Sequence, residues 1–246
     1  MKNIHWFGQL AKNKIAGWKF LLFASMQILS TVAPGPLAQA APRALAPEEI
    51  LTRMEERLEQ QVNTIESYQA RRRYLAANSI LKNPAALVVE ESYSAPGAKQ
   101  FRELERSGSS LVYKRVFTPL LEVERETIRE STRPQVDLNR RNYRFTFLEH
   151  DEAAAAYVFQ AEPVGPNPYL LRGQIWVNDK DFGVQRIEGE PAKRHSVFIR
   201  RTHFVHQFAK FGDFWFPVHH RSEAEMFLVG HSTLEIDYFD YQWQCR

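Results

Sequence analysis

The sequence predicts a mainly β fold with some α. It reads as a curved antiparallel sheet, a half-open β-barrel, wrapped around one N-terminal amphipathic helix. Three observations predict it. Ile50, Met54, Leu58, Val62 and Ile65 recur at steps of three and four, which draws one apolar stripe along a helix. From about Ser67 onward the period changes to two, the alternation of half-buried strands. Turn signals then separate short runs with no βαβ rhythm, which argues against a doubly wound parallel sheet.

The helix is expected from about Pro47 to Ile65. Pro47 suits a first helical turn, and Glu48 and Glu49 suit the positive end of the helix dipole. Leu87, Val89 and Tyr93 alternate along one strand, and Tyr143, Phe145 and Phe147 along another. Tyr169, Leu171, Ile175 and Val177 share a face, as do Leu234, Ile236 and Tyr238. Pro96-Gly97, 165–168, 178–181 and 211–213 read as turns. About eight to ten strands result. "RSGSS" at 106–110 reads as a hairpin loop. "LLEVERETIRE" fits a short helix and "STRPQVDLN" a loop, so 120–139 is an insertion of the kind that often carries function.

Residues 1–40 read as a cleavable secretory signal peptide, with cleavage after Ala40 and one domain over 41–246. Lys2, Lys12, Lys14 and Lys19 precede an uncharged run, and "AQA" offers small residues for a peptidase. Those lysines carry the basic balance. Without them 28 basic residues stand against 29 acidic ones, which leaves no electrostatic footprint for nucleic acid. The single Cys, Cys245, can build neither an internal disulfide nor a thiolate metal site. A bacterial periplasm is the expected compartment.

Motifs of chemistry are sparse. Asp181-Phe182-Gly183 spells the magnesium-binding triplet of protein kinases, but no Gly-rich loop or H-R-D accompanies it. It reads as a hairpin corner in which Gly183 relieves steric strain. His203 and His206 lie three apart on a strand and so point to opposite faces, and adjacent His219 and His220 diverge likewise. No metal site, cofactor or catalytic residue is expected. Arg71–Arg73 and Arg200-Arg201 send neighbours to both sides of a strand. Most would be solvated, while inward members could meet an anionic head group or a partner.

Many strands with one apolar face must curl or be covered. One helix covers only part of such a face, so an apolar concavity suited to an acyl chain is expected. Its candidate lining is Tyr143, Phe145, Phe147, Leu171, Ile175, Val177, Phe204, Phe214, Phe216, Leu234 and Ile236.

The segments "YLLRGQIWVNDKDFGVQRIEGEPAK", "FIRRTHFVHQFAKFGDFWFPVHHRS" and "TLEIDYFDYQ" together resemble the outer-membrane lipoprotein-sorting superfamily, the LolA/LolB-like periplasmic proteins. The resemblance covers about 165–242, and 47–164 match in layout. It implies a half-open barrel closed by helices whose interior takes acyl chains of lipoproteins or other lipids. Membrane-associated donor or acceptor proteins would be its partners. The sequence lacks the lipidation Cys of the LolB pattern. The implied function is a non-enzymatic periplasmic carrier or sensor. An envelope-stress interaction module without lipid transfer is the alternative, and an envelope hydrolase the remaining one.

Overall fold

The computed structural model describes residues 45–80, 84–193, 199–226 and 230–246. The expected signal peptide lies outside the described residues. Everything below belongs to one unit, Ala44–Arg246. None of the described helices is long and apolar enough to cross a membrane.

Helix α1 spans Pro47–Thr64. Pro47 stands in its first turn, and the N–H groups of Glu49 and Ile50 both donate to the Ala46 carbonyl. Ile65 turns extended, so strand β1 (Ile65–Asn78) begins with no intervening loop. β2 (Ala85–Ser94) and β3 (Ala98–Ser107) follow as hairpins. Then come a short helix α2 (Ser110–Val112), a π-helical turn (Tyr113–Phe117), helix α3 (Thr118–Thr127) and a 3-10 turn (Arg133–Gln135). Seven strands complete the chain: β4 (Tyr143–Asp151), β5 (Ala156–Pro163), β6 (Leu171–Asn178), β7 (Val184–Pro191), β8 (Ile199–Phe211), β9 (Phe214–Met226) and β10 (Gly230–Cys245).

All ten strands form one antiparallel sheet in the order β3-β2-β1-β10-β9-β8-β7-β6-β5-β4. The sheet is curved and does not close. β4 to β10 run as a meander, and β10 then pairs with β1, so the last strand lies beside the first. β3 and β4 are left as the two edges. Residues 108–142 therefore carry the chain from one edge to the other. The expected hairpin at 106–110 does not form. Gly108, at φ 84°, sends the chain off the β3 edge into α2 instead. A strand at a sheet edge can hand its chain to a helical strap as readily as to another strand.

Cross-strand register puts one row of side chains straight across the sheet. Leu87, Tyr74, Ile236, His220, His206, Ile187, Ile175, Phe159 and Phe147 stand opposite one another from β2 to β4. Directly opposed residues point to one face, so this row defines the inner face. Helix α1 and the strap of α2 and α3 cover it, at opposite ends. Ile50, Leu51 and Met54 of α1 pack on Tyr143, Phe159, Ile175, Val177 and Val184. Phe117 and Leu121 of the α2–α3 strap pack on Tyr74, Leu87, Val89, Ile236 and Tyr238. Ile65, Tyr93, Phe214 and Phe216 make a third cluster with Tyr241 and Trp243.

The corner at 178–183 is a hairpin turn between β6 and β7, as the sequence indicates, but its strain is distributed differently. The positive φ falls on Phe182, at 59°, and not on Gly183. Gly183 is needed for a close approach: a Cβ there would lie 2.0 Å from the Trp215 indole nitrogen. That indole N–H donates to both carboxylate oxygens of Asp181, at 3.2 Å each. Asp181 thus ties the β6–β7 corner to β9, and Lys210 pairs with it at 2.6 Å. Tyr169, expected on the β6 face, lies in the turn before the strand and is exposed.

Candidate functional site

The candidate lining is sorted by what covers it. Tyr143, Ile175 and Val177 are buried beneath α1, with Phe145 and Leu171 half-buried beside them. The Tyr143 hydroxyl accepts the Leu171 N–H at 3.3 Å. Phe147 reaches the sheet edge, 39% exposed, with its ring edge-on to Phe159. Phe214 and Phe216 are buried in the aromatic cluster, where Phe216 stacks on Tyr241 at 4.6 Å between centroids. Ile236 is buried and Leu234 half-buried beneath α3. Phe204 belongs to neither helix. It is half-buried in the strip between them and stacks on His220 at 5.8 Å.

That strip is where the row reaches His206 and His220. The His206 ring stacks on Phe208 at 4.6 Å and meets His220 edge-on at 5.2 Å. The His206 Nε2 atom is buried without a hydrogen-bond partner. Burial, and then the neighbouring His220, push His206 down to about 3; burial pushes His220 down to about 4. Both imidazoles are neutral at physiological pH. His203 and His219 point the other way, to Glu188 at 3.2 Å and Asp237 at 2.9 Å, as period-two alternation requires. Among the described residues no group of three His, Cys, Asp or Glu could hold a metal ion.

Beside this strip lies an ionic cluster that sequence reasoning missed. Arg72 and Glu91 are buried on the inner face and form an ion pair. Glu124, from α3, meets Arg72 Nη1 at 2.5 Å. Lys99, from β3, lies 2.6 Å from Glu91 and 3.5 Å from Glu124. The Tyr68 hydroxyl donates to Glu91 at 2.8 Å, and the Arg72 guanidinium lies over the Tyr238 ring at 4.6 Å. The two cations and two anions cancel. Burial opposes ionisation of Glu124, yet Arg72 and Lys99 hold its carboxyl below the ordinary value. Only Arg72 of the Arg71–Arg73 run faces inward. Arg71 and Arg73 pair on the outer face with Asp240 and Asp237. So the inward arginine meets carboxylates of its own chain, one of which fastens α3 to the sheet.

A signal for this cluster was present. Ala70, Arg72, Tyr74 and Ala76 are in phase on β1, as are Leu87, Val89, Glu91 and Tyr93 on β2. A charge in phase with an apolar set on each of two adjacent strands marks a buried pair.

No protein-family model matches the chain, and none of the curated proteins does. Solved structures do. The chain is similar to a DUF1329 family protein from Desulfovibrio piger, at 12% identity and TM-score 0.44, over 80% of this chain and 92% of that one. It is similar to a putative outer membrane lipoprotein-sorting protein domain from Vibrio parahaemolyticus, at 11% identity and TM-score 0.43, over 80% and 93%. It is also similar to a LolA superfamily protein from Nitrosomonas europaea, at 14% identity and TM-score 0.39, over 82% and 94%.

The two helical covers are anchored unequally. Gln61 of α1 exchanges two hydrogen bonds of 2.9 Å with the Trp215 backbone, as a neighbouring strand would. Glu55 holds Arg140 at 2.6 Å, through both its backbone N–H and its guanidinium. By contrast, α3 buries only Leu121 of its own residues, is pinned to the sheet by the Glu124–Arg72 ion pair, and is entered through a π-helical turn, a form that often marks functional positions. Beside the second half of α1, an open groove of about 920 Å³ runs between Leu58, Val62 and residues 130–141. Its rim mixes Arg133, Arg140 and Arg141 with Glu55, Glu59 and Asp137, so no single charge dominates it.

Proposed function

We propose that the chain is a non-enzymatic periplasmic carrier or sensor that binds acyl chains of lipids or lipoproteins on the inner face of the sheet. The observation that carries this reading is the row from Leu87 to Phe147. It gives one continuous, mostly apolar track beneath two separate helices, and it is half open at Phe204 and Leu234. An acyl chain entering there would take over the contacts of Phe117 and Leu121 as α3 lifts. Each methylene buried contributes about 0.8 kcal/mol, so a long chain can offset the lost contacts of Phe117 and Leu121 together with the Glu124–Arg72 ion pair. With α3 seated the ionic cluster is compensated; lifting α3 takes Glu124 away and leaves Arg72 and Lys99 against Glu91 alone, one net positive charge that suits the anionic head group of a fatty acid.

Titration of delipidated protein with a fluorescent fatty acid is expected to show saturable uptake. Phe204→Glu or Leu234→Glu should weaken it about tenfold or more, since each sets a charge in the path of an apolar ligand. Absence of uptake by correctly folded, delipidated protein would remove this reading. The groove beside α1, with its mixed charges, favours a second one: a regulatory module that receives a protein partner. That module would keep its partner affinity while showing no acyl uptake.

A further inference from the structure

The two edges of the sheet are protected unequally. β3 carries Lys99, Arg102, Glu103, Glu105 and Arg106, and the strap guards it. The Tyr113 hydroxyl donates to Glu103 at 2.8 Å, and the Arg125 guanidinium lies 5.2 Å from the Phe101 ring centre. Charges and a cover are the usual defences of an edge strand. β4 has much less. Residues 146–150 are all exposed, with Phe147 39% and Leu148 45% exposed, and among the described residues no strand pairs with its outer side. An exposed apolar edge strand is a pairing template.

The register of β4 states what would fit it. Phe147 faces Phe159 and Glu149 faces Val158, so Leu148 is a bulged extra residue. The bulge resets the alternation. Tyr143, Phe145, Phe147 and His150 share the inner face, whereas Arg144, Thr146 and Glu149 share the outer face. Lay a second β4 antiparallel with the two-fold axis at Thr146. Phe145 then opposes Phe147 of the other copy and Arg144 opposes Glu149, each pair occurring twice; Tyr143 lies outside the pairing, its N–H held by the Asn139 carbonyl at 2.9 Å. In its own chain neither Arg144 nor Glu149 forms an ion pair among the described residues. A foreign strand would require no such match of a segment with its own reverse.

We propose that a second copy of this chain pairs with the free edge of β4, as a two-fold antiparallel dimer centred on Thr146. The contact is isologous and closes on itself, so it ends at two copies and does not propagate. It pairs the edge of β4 beyond Tyr143 and shelters Phe147. It also joins the two inner faces into one track across both copies, through Phe147 of one and Phe145 of the other. The inference rests on strand register and charge, independently of the acyl-binding reading. The protein can dimerise without binding lipid, or the reverse.

Sedimentation equilibrium of the full chain from about 1 µM to about 1 mM is the test, because an interface of one strand pair is small and concentration-dependent. A monomer–dimer equilibrium is expected. R144E and E149R singly place like charges opposite each other twice, and each should raise the dissociation constant about tenfold or more. R144E/E149R exchanges the charges, preserves every opposition and should restore dimerisation, with circular dichroism confirming the fold of each variant. The proposal is overturned by a monomer throughout the range, by a dimer indifferent to the single reversals, or by a folded double variant as weak as the singles.

Discussion

Glu91→Ala should lower the stability of the domain by about 3–5 kcal/mol, because it leaves the buried charges of Arg72 and Lys99 without the carboxylate between them. For a domain of this size that corresponds to a fall in melting temperature of roughly 6–20 °C. The adjacent Glu90→Ala is the internal control. Glu90 points to the opposite face and pairs at 2.8 Å with Arg102, which is 68% exposed, so its loss should cost under about 1 kcal/mol. Urea or thermal unfolding of the two variants reads the difference. The contrast arises from side-chain phase alone: two successive glutamates, one inside and one outside. Glu124→Ala should fall between them, because it removes the anion that fastens α3 while Arg72 keeps Glu91. Equal losses for Glu90 and Glu91 would show that Arg72 and Glu91 are not buried together.

Stability should also fall as pH drops from about 6.5 toward 5, before ordinary carboxylates have titrated. The cause is the imidazole pair. His206 and His220 are held neutral by burial, at about 3 and about 4, whereas both take up protons near 6.5 once the chain unfolds. Over that interval the unfolded state binds more protons, so stability rises with pH and is lost on acidification. Each histidine contributes up to about 1.4 kcal/mol per pH unit, less where solvent reaches the half-buried ring. Glu124 acts in the same direction at lower pH. Its depressed folded-state value favours the native state above its unfolded value, and that advantage is lost as pH falls through the folded one. His206→Phe keeps the stacking with Phe208 and should flatten the acid slope measured by urea unfolding at about pH 5, 5.8 and 6.5. An unchanged slope would place the proton uptake elsewhere.

The sequence made the strands legible because one face is apolar and the other polar, so period two survives in the residue string. Tyr143, Phe145, Phe147, Ile175, Val177, Leu234 and Ile236 all fall on the inner face for that reason. The opposite directions of His203 and His206 follow from the same alternation. What periodicity does not encode is which strand lies beside which. That β10 returns to β1, and that Lys99 on β3 and Glu124 on α3 converge on Arg72 and Glu91, are consequences of topology. Gly183 was legible as a turn residue but not as the seat of the Trp215 indole, which arrives from another hairpin. The strap's second role, covering one end of the face while α1 covers the other, is likewise a matter of where residues 108–142 must travel once β3 and β4 become edges.

If the inner face binds acyl chains as proposed, α3 is its movable cover and α1 the fixed one. Hydrogen exchange of the delipidated protein, with and without a saturating fatty acid, tests it most directly. The amides of Thr118–Thr127 should exchange faster when ligand is bound, as Glu124 leaves Arg72 and Leu121 leaves the sheet, while those of Pro47–Thr64 keep their protection. Ligand bound with α3 equally or better protected would contradict the account.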